Sequence, residues 1–183
     1  MANTSKVESE DNFFIDRFKC VSMDLGCFVS DLNLFKNIYL FKELSPDQIE
    51  ELAGISSSHS VEAGKNIFLQ GDEATAIFIL RHGSVRIHQK TEHGEAVEIA
   101  VLGKGSHFGE MAFLDSARRS ATATTIESSE VVRLTYSDLK KLIDSQSDLG
   151  LELYKAFSHF LCSRLRVTTS DLSYAKERNI AHF

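Results

Sequence analysis

The chain of 183 residues carries a formal net charge of −6 and is 43% hydrophobic, enough apolar material for a folded core but a poor balance for a nucleic-acid partner, whose phosphates call for clustered lysine and arginine. No basic run is longer than a pair, and no apolar stretch approaches the roughly 20 residues that span a bilayer. Three cysteines (Cys20, Cys27, Cys162) lack Cys-x-x-Cys spacing and the seven histidines are scattered, which argues against a disulfide framework or a metal site and for a reduced cytoplasm.

Met1 to Asn12 is polar and acidic and reads as a disordered tail, without the basic-then-apolar order of a secretory signal. Residues 13–39 form a helical N-terminal extension rich in apolar side chains (Phe13, Phe14, Phe18, Leu25, Phe28, Val29, Leu32, Phe35), with Gly26 as an expected interruption. Basic residues are few there, so packing on the same domain or on a dimer mate is favoured over a membrane surface. Ser45-Pro46-Asp47-Gln48 is a helix start: Ser45 at the N-cap, Pro46 at the first helical position, Gln48 closing a capping box. Ile49, Leu52 and Ala53 follow on one face.

From Ser60 the period changes to strands at Val61, Ile67 to Leu69, Ala76 to Leu80, Val85 to Ile87 and Val97 to Leu102, then Ala121 to Ile126 and Val131 to Leu134. Glycine turns separate most of them, at Gly64, Gly71, Gly83, Gly94 and Gly103 to Gly105. Short strands so spaced predict an α+β, mainly β, chain: an antiparallel β-roll or jelly roll with flanking N-terminal helices and a long C-terminal helix. A cupin-type metal enzyme would share that roll, but His82, His88 and His93 do not supply a His-x-His pair with its carboxylate. No nucleophile stands with a base and an orienting partner, so no catalysis is expected.

Between the last two groups of strands lies Phe108-Gly109-Glu110-Met111-Ala112-Phe113-Leu114, followed by Arg118-Arg119-Ser120-Ala121. Gly109 allows close approach of the backbone to a ligand, because it has no Cβ. The N–H groups of Glu110, Met111 and Ala112 are the unpaired donors of a new helical turn, favourable to an anion. An arginine nine residues after Glu110 can return with a planar fork matched to phosphate. Glu110 is a poor phosphate ligand and is better suited to accept from a sugar hydroxyl and fix the arginine. A cyclic nucleotide satisfies all these groups; the alternative is a strand-ending glycine and a surface ion pair worth ~0–1 kcal/mol.

At these residues the chain resembles the cyclic-nucleotide-binding domain family, and from about Leu40 to Leu172 it is similar to the ligand-binding half of the bacterial catabolite activators. The resemblance implies a nucleotide-binding roll over 40–147 with its phosphate cassette at 108–121. It implies that Glu110 meets the ribose 2′-hydroxyl, and that Arg119, Ser120 and the backbone around Met111 and Ala112 hold the cyclic phosphate. Phe108, Gly109 and Ala121 complete that cassette. Arg118 is the neighbouring rival, and the family spacing selects Arg119.

Residues 148–183 carry a lid or dimerisation helix and a tail, after a short helix from Ser137 to Ile143. Leu153, Phe157, Phe160 and Val167 make one apolar stripe, expected to cover the roll. Leu161, Leu165, Thr168, Leu172 and Ala175 make a second, spaced as in a helix-pairing seam and suited to a homodimer. By resemblance, Thr168 meets the purine of its own subunit and Thr169 that of the partner, with Ile99 and Ala100 flanking the base and Tyr174 as a possible stacking cap. The expectation is a non-enzymatic cytoplasmic sensor with no cofactor, binding cyclic AMP, alternatively cyclic GMP. Its other partners are a second copy and an unknown downstream protein, not nucleic acid. A ligand-free adaptor roll and a transcription regulator lacking its DNA module are the rival classes; too few residues follow Thr169 to read DNA.

Overall fold

The computed structural model describes residues 19–20, 25–91 and 94–180, with side chains from 31 to 91 and from 94 to 177. The expected tail at 1–12 and the aromatics Phe13, Phe14 and Phe18 lie outside those residues. Strand β1 (Lys19–Cys20) and helix α1 (Leu25–Lys36) come first, then a 3₁₀ turn at Tyr39–Phe41 and α2 (Pro46–Gly54). The roll follows as β2 (Ser56–Val61), β3 (Asn66–Phe68), β4 (Ala76–His82), β5 (Val85–Lys90), β6 (Ala96–Leu102), β7 (His107–Phe108), α3 (Met111–Asp115), β8 (Thr122–Thr125) and β9 (Ser129–Thr135). Helices α4 (Tyr136–Ser145) and α5 (Ser147–Ile180) end the described chain. One sheet has the order β1-β2-β9-β4-β7 and the other β3-β8-β5-β6, with antiparallel pairs throughout. This is the expected β-roll with flanking helices.

Strand β4 explains how the layers are held. Its alternating side chains leave on opposite faces. Ala76, Phe78 and Leu80 enter the roll interior with Val61, Val85, Phe108 and Val131. Ile77 and Ile79 face the other way, onto Phe35, Phe41, Leu52, Leu149, Leu153 and Phe157 from the helices. Strand β9 does the same, with Val131 inside and Val132 and Leu134 under the helices. A strand covered on both faces has no polar side, which is why 76–80 reads as a continuous apolar run.

Several expectations are corrected. Strand β2 starts at Ser56, earlier than its sequence indicates, because Ser-Ser-Ser-His-Ser has no apolar alternation. Pairing with β9 from Ser56↔Leu134 to Val61↔Ser129 fixes it instead, and the buried Ser56 hydroxyl donates to the Ala53 carbonyl at 2.8 Å. Gly26 does not interrupt a helix: it is the second residue of α1. The cap of α4 is Thr135, whose hydroxyl accepts from the Asp138 N–H at 3.1 Å, so that helix begins before Ser137. Val167 is exposed and does not cover the roll, while Leu149 is fully buried. The Ser45–Gln48 capping box forms as expected.

A buried polar cluster ties α1 to the roll. Arg81 of β4 pairs with Asp31 of α1 and, at 2.6 Å, with Glu130 of β9. The Ser56 hydroxyl reaches Asp31 at 3.2 Å.

Candidate functional site

The site begins where β7 leaves β4. Phe108 pairs with Phe78 across the ladder, and their rings stack at 5.6 Å in the roll core. The next residue, Gly109, has φ +84°, a left-handed conformation that favours glycine. A Cβ there would stand 2.5 Å from Arg119 Nη1 and 3.3 Å from the Ala76 carbonyl oxygen, so the position also needs the missing side chain. Glu110 then sets the start of α3, its carbonyl accepting from the Phe113 N–H at 3.0 Å. Ser116 closes α3 in a left-handed conformation, its N–H donating to Ala112 at 3.1 Å.

The return path is pinned by the turn between β3 and β4. The Leu69 N–H donates to the Asp72 carboxylate at 2.8 Å, shaping that turn. Gly71 N–H donates to the Arg119 carbonyl at 2.8 Å, and Arg119 N–H to the Asp72 carbonyl at 3.0 Å. The two arginines diverge from here. Arg118 is exposed and bonds the Gly71 carbonyl at 2.9 Å. Arg119 is 5% exposed, lies 4.1 Å over the Phe68 ring, and donates to the carbonyls of Ala76 at 2.7 Å and Gly109 at 3.0 Å. It also donates to the Tyr136 hydroxyl at 3.3 Å, which in turn donates to the Gly109 carbonyl at 2.6 Å.

A cleft with about 430 Å³ of open space, partly continuous with solvent, is lined by Phe68, Ile87, Phe108 to Ala112, Arg119 to Ala121 and Arg164. Glu110 is 3% exposed. Burial raises its carboxyl above the ordinary value, opposed by its own backbone hydrogen bond and by the Arg164 and Arg119 charges. Burial also works against the Arg119 charge, lowering its pKa, while Tyr136, Asp72 and Glu110 support it. Arg164 reaches the cleft from α5 with its guanidinium 5.1 Å from the Phe160 ring centre. Phe160 lies at 4.1 Å from the His107 ring, and burial, with the Arg164 charge, lowers the His107 pKa to about 4. The cleft thus combines two guanidinium groups, one buried carboxylate and an apolar wall. That set can hold an anion beside a hydroxyl-bearing group. Among the described residues no group of His, Cys, Asp and Glu could hold a metal ion.

All eight cassette residues named from sequence, Phe108 to Ala112 and Arg119 to Ala121, line this cleft. The four purine candidates do not. Ile99 is exposed on β6, Ala100 is half-buried against the roll core, and Thr168 and Thr169 are exposed on α5. The Thr169 hydroxyl donates to the Leu165 carbonyl at 2.8 Å, and Tyr174 is exposed. Sequence reading missed Arg164, Tyr136, Phe68 and Ile87. For Arg164 a signal existed: it stands one helical turn before Thr168, on the same face of α5.

Comparison with known proteins bears on this geometry. Residues 58–146 match the family model described as "Cyclic nucleotide-binding domain". The chain is 35% identical over 104 residues to the cyclic AMP receptor protein of Thermus thermophilus, covering 57% of this chain and 48% of that protein. It is 31% identical over 114 residues to the cGMP-dependent protein kinase egl-4 of Caenorhabditis briggsae, covering 61% of this chain and 15% of the kinase. The crystal structure of the Thermus thermophilus catabolite activator protein superimposes with a TM-score of 0.66 at 30% identity, covering 75% of this chain and 63% of that one. The chain therefore spans about half the length of the Thermus relative. Through residues 58–146 it belongs to the cyclic nucleotide-binding domain family.

Proposed function

We propose that the chain is a cyclic-nucleotide sensor whose cleft takes the cyclic phosphate on Arg119 and the ribose 2′-hydroxyl on Glu110. The observation that carries this reading is the pair itself: a guanidinium and a carboxylate, both nearly buried, on one cleft. Burying two charges is costly unless a ligand or partner engages them. Ser120 and the backbone of Met111 and Ala112 complete the phosphate contacts, and Arg164 brings α5 to the same ligand. Binding would then shift α5 by whatever contacts it makes better in the docked state, a coupling of typically ~1–3 kcal/mol. Thr168 and Thr169 would join the purine only after α5 moves or a second copy supplies its helix, with Ile99 and Ala100 on the roll side.

Cyclic AMP is the favoured ligand, in line with the similarity to the Thermus cyclic AMP receptor. A second reading is cyclic GMP, because the exposed Ser120 hydroxyl beside Arg119 has, among the described residues, only the Met111 sulfur as partner, at 3.6 Å. No helix among the described residues is long and apolar enough to cross a membrane; the proposed regulator is cytoplasmic and has no catalysis of its own. The downstream partner is a protein, contacted through α5.

Calorimetric titration with cyclic AMP and cyclic GMP tests the reading. Arg119→Ala should weaken the better ligand by roughly 2–5 kcal/mol, since it removes a buried charged partner. Unchanged affinity in that variant would place the phosphate elsewhere.

A further inference from the structure

We propose that Tyr136 is the positioning residue for the phosphate-facing arginine: its hydroxyl, set between the Arg119 guanidinium and the Gly109 carbonyl, presents the remaining Arg119 donors to the anion. This rests on the sensor reading of the cleft.

A guanidinium has five N–H donors in a fixed plane. Nη1 spends its donors on the Gly109 carbonyl and the Tyr136 hydroxyl, and Nη2 gives one to Ala76. The buried Nε–H has no partner among the described residues, and one Nη2 hydrogen is also unused. Nε–H lies on the edge of the fork that it shares with Nη2, the edge that can grip a phosphate side-on. Without the hydroxyl, Nη1 keeps a single carbonyl that must also serve as the turn of Gly109, and the plane can rotate about Cζ. Tyr136 closes the arrangement by bonding both partners, donating to Gly109 at 2.6 Å and accepting from Arg119 at 3.3 Å.

Two further features place this role in the residue and not in its neighbourhood. The Tyr136 N–H is fixed by the Thr75 carbonyl at 2.8 Å, adjacent to the Ala76 carbonyl that holds Nη2. The ring packs against Phe113 of α3 at 5.2 Å. The phenol is thus anchored independently of the arginine that it orients. As the first residue of α4 it also joins the cassette to the helical layer.

The test uses the full chain and Tyr136→Phe, which keeps the ring. Titration with cyclic AMP and cyclic GMP should show about 3- to 10-fold weaker binding of the preferred nucleotide, the ratio expected for one lost hydrogen bond. In an Arg119→Ala background the same change should have no further effect, because Tyr136 acts through the arginine. Equal affinity in the single variant, or additive losses in the double variant, would overturn the proposal. Arginine side-chain NMR separates this outcome from failure of the sensor reading. With no nucleotide added, the Arg119 Nε–H resonance should shift and its Nη groups rotate faster in Tyr136→Phe. A wild-type protein that binds neither nucleotide but shows that change removes the sensor reading and keeps the positioning role; an unchanged resonance removes the positioning role.

Discussion

Glu110 is 3% exposed and feels the charges of Arg164 and Arg119, yet burial makes its ionisation work against the fold. Its folded-state pKa lies above the unfolded one, so the native protein holds the extra proton in that window. Stability is full below the unfolded pKa and falls as pH rises through the folded one. Glu110→Gln should therefore raise the thermal midpoint at neutral pH while weakening nucleotide binding roughly 10- to 100-fold, the loss expected for a charged acceptor. Scanning calorimetry and titration on the same sample read both, and a lower midpoint would contradict the assignment. His107 works in the opposite sense. Its folded pKa, about 4, lies below the ordinary 6.5, so its contribution is present above 6.5 and lost as pH falls toward 4, by on the order of 3 kcal/mol. Urea midpoints measured across that range should fall in the wild type and much less in His107→Phe; equal slopes would show that another group titrates. Glu110 and Arg119 were legible in the sequence because a nine-residue return is a local property of the chain. Arg164, on a helix far along the chain, was marked only by its one-turn spacing from Thr168, and Tyr136 acts through a hydroxyl that no spacing rule marks.

Among the elements, legibility followed periodicity. Strand β4 carries a dense apolar run, β5 alternates Val85 and Ile87 with polar residues, and α2 carries a full capping signal, so each was readable. Strand β2 was only half readable, since its serines are held by the ladder to β9 and not by any preference of their own. Helix α5 shows the same limit in another form. Its two apolar stripes were visible, but which of them the roll covers depends on where the helix leaves the surface. Leu153 and Phe157 are buried, whereas Leu165, Val167 and Leu172 are 66%, 59% and 54% exposed. Leu165 and Leu172, seven residues apart, share one exposed face of α5 that is suited to a partner helix, while Val167 lies on another face. Leu165→Glu with Leu172→Glu should convert a dimer to a monomer by light scattering, without changing the melting of the roll. A wild-type protein that is monomeric with and without nucleotide would remove the homodimer and the cross-subunit role of Thr169.

At the scale of the whole molecule, the fold class was readable and the manner of joining its layers was not. The Arg81 cluster that binds α1 to β4 and β9 uses residues separated by 50 and 49 positions in the chain, each unremarkable in its local window. Strands β4 and β9 give the joining a further meaning. They are one partition between two oily compartments, with Phe78 on the roll side and Ile77 and Ile79 on the helical side. Neither compartment can loosen without exposing the back of the other's wall. Differential scanning calorimetry should accordingly show one endotherm with matching calorimetric and van't Hoff enthalpies, and two separable peaks would refute the shared partition. The consequence is mechanical: a stress applied at the cassette would not be absorbed by melting the roll alone, and the part of α5 beyond Arg164, whose described side chains face solvent, has the least packing to resist it.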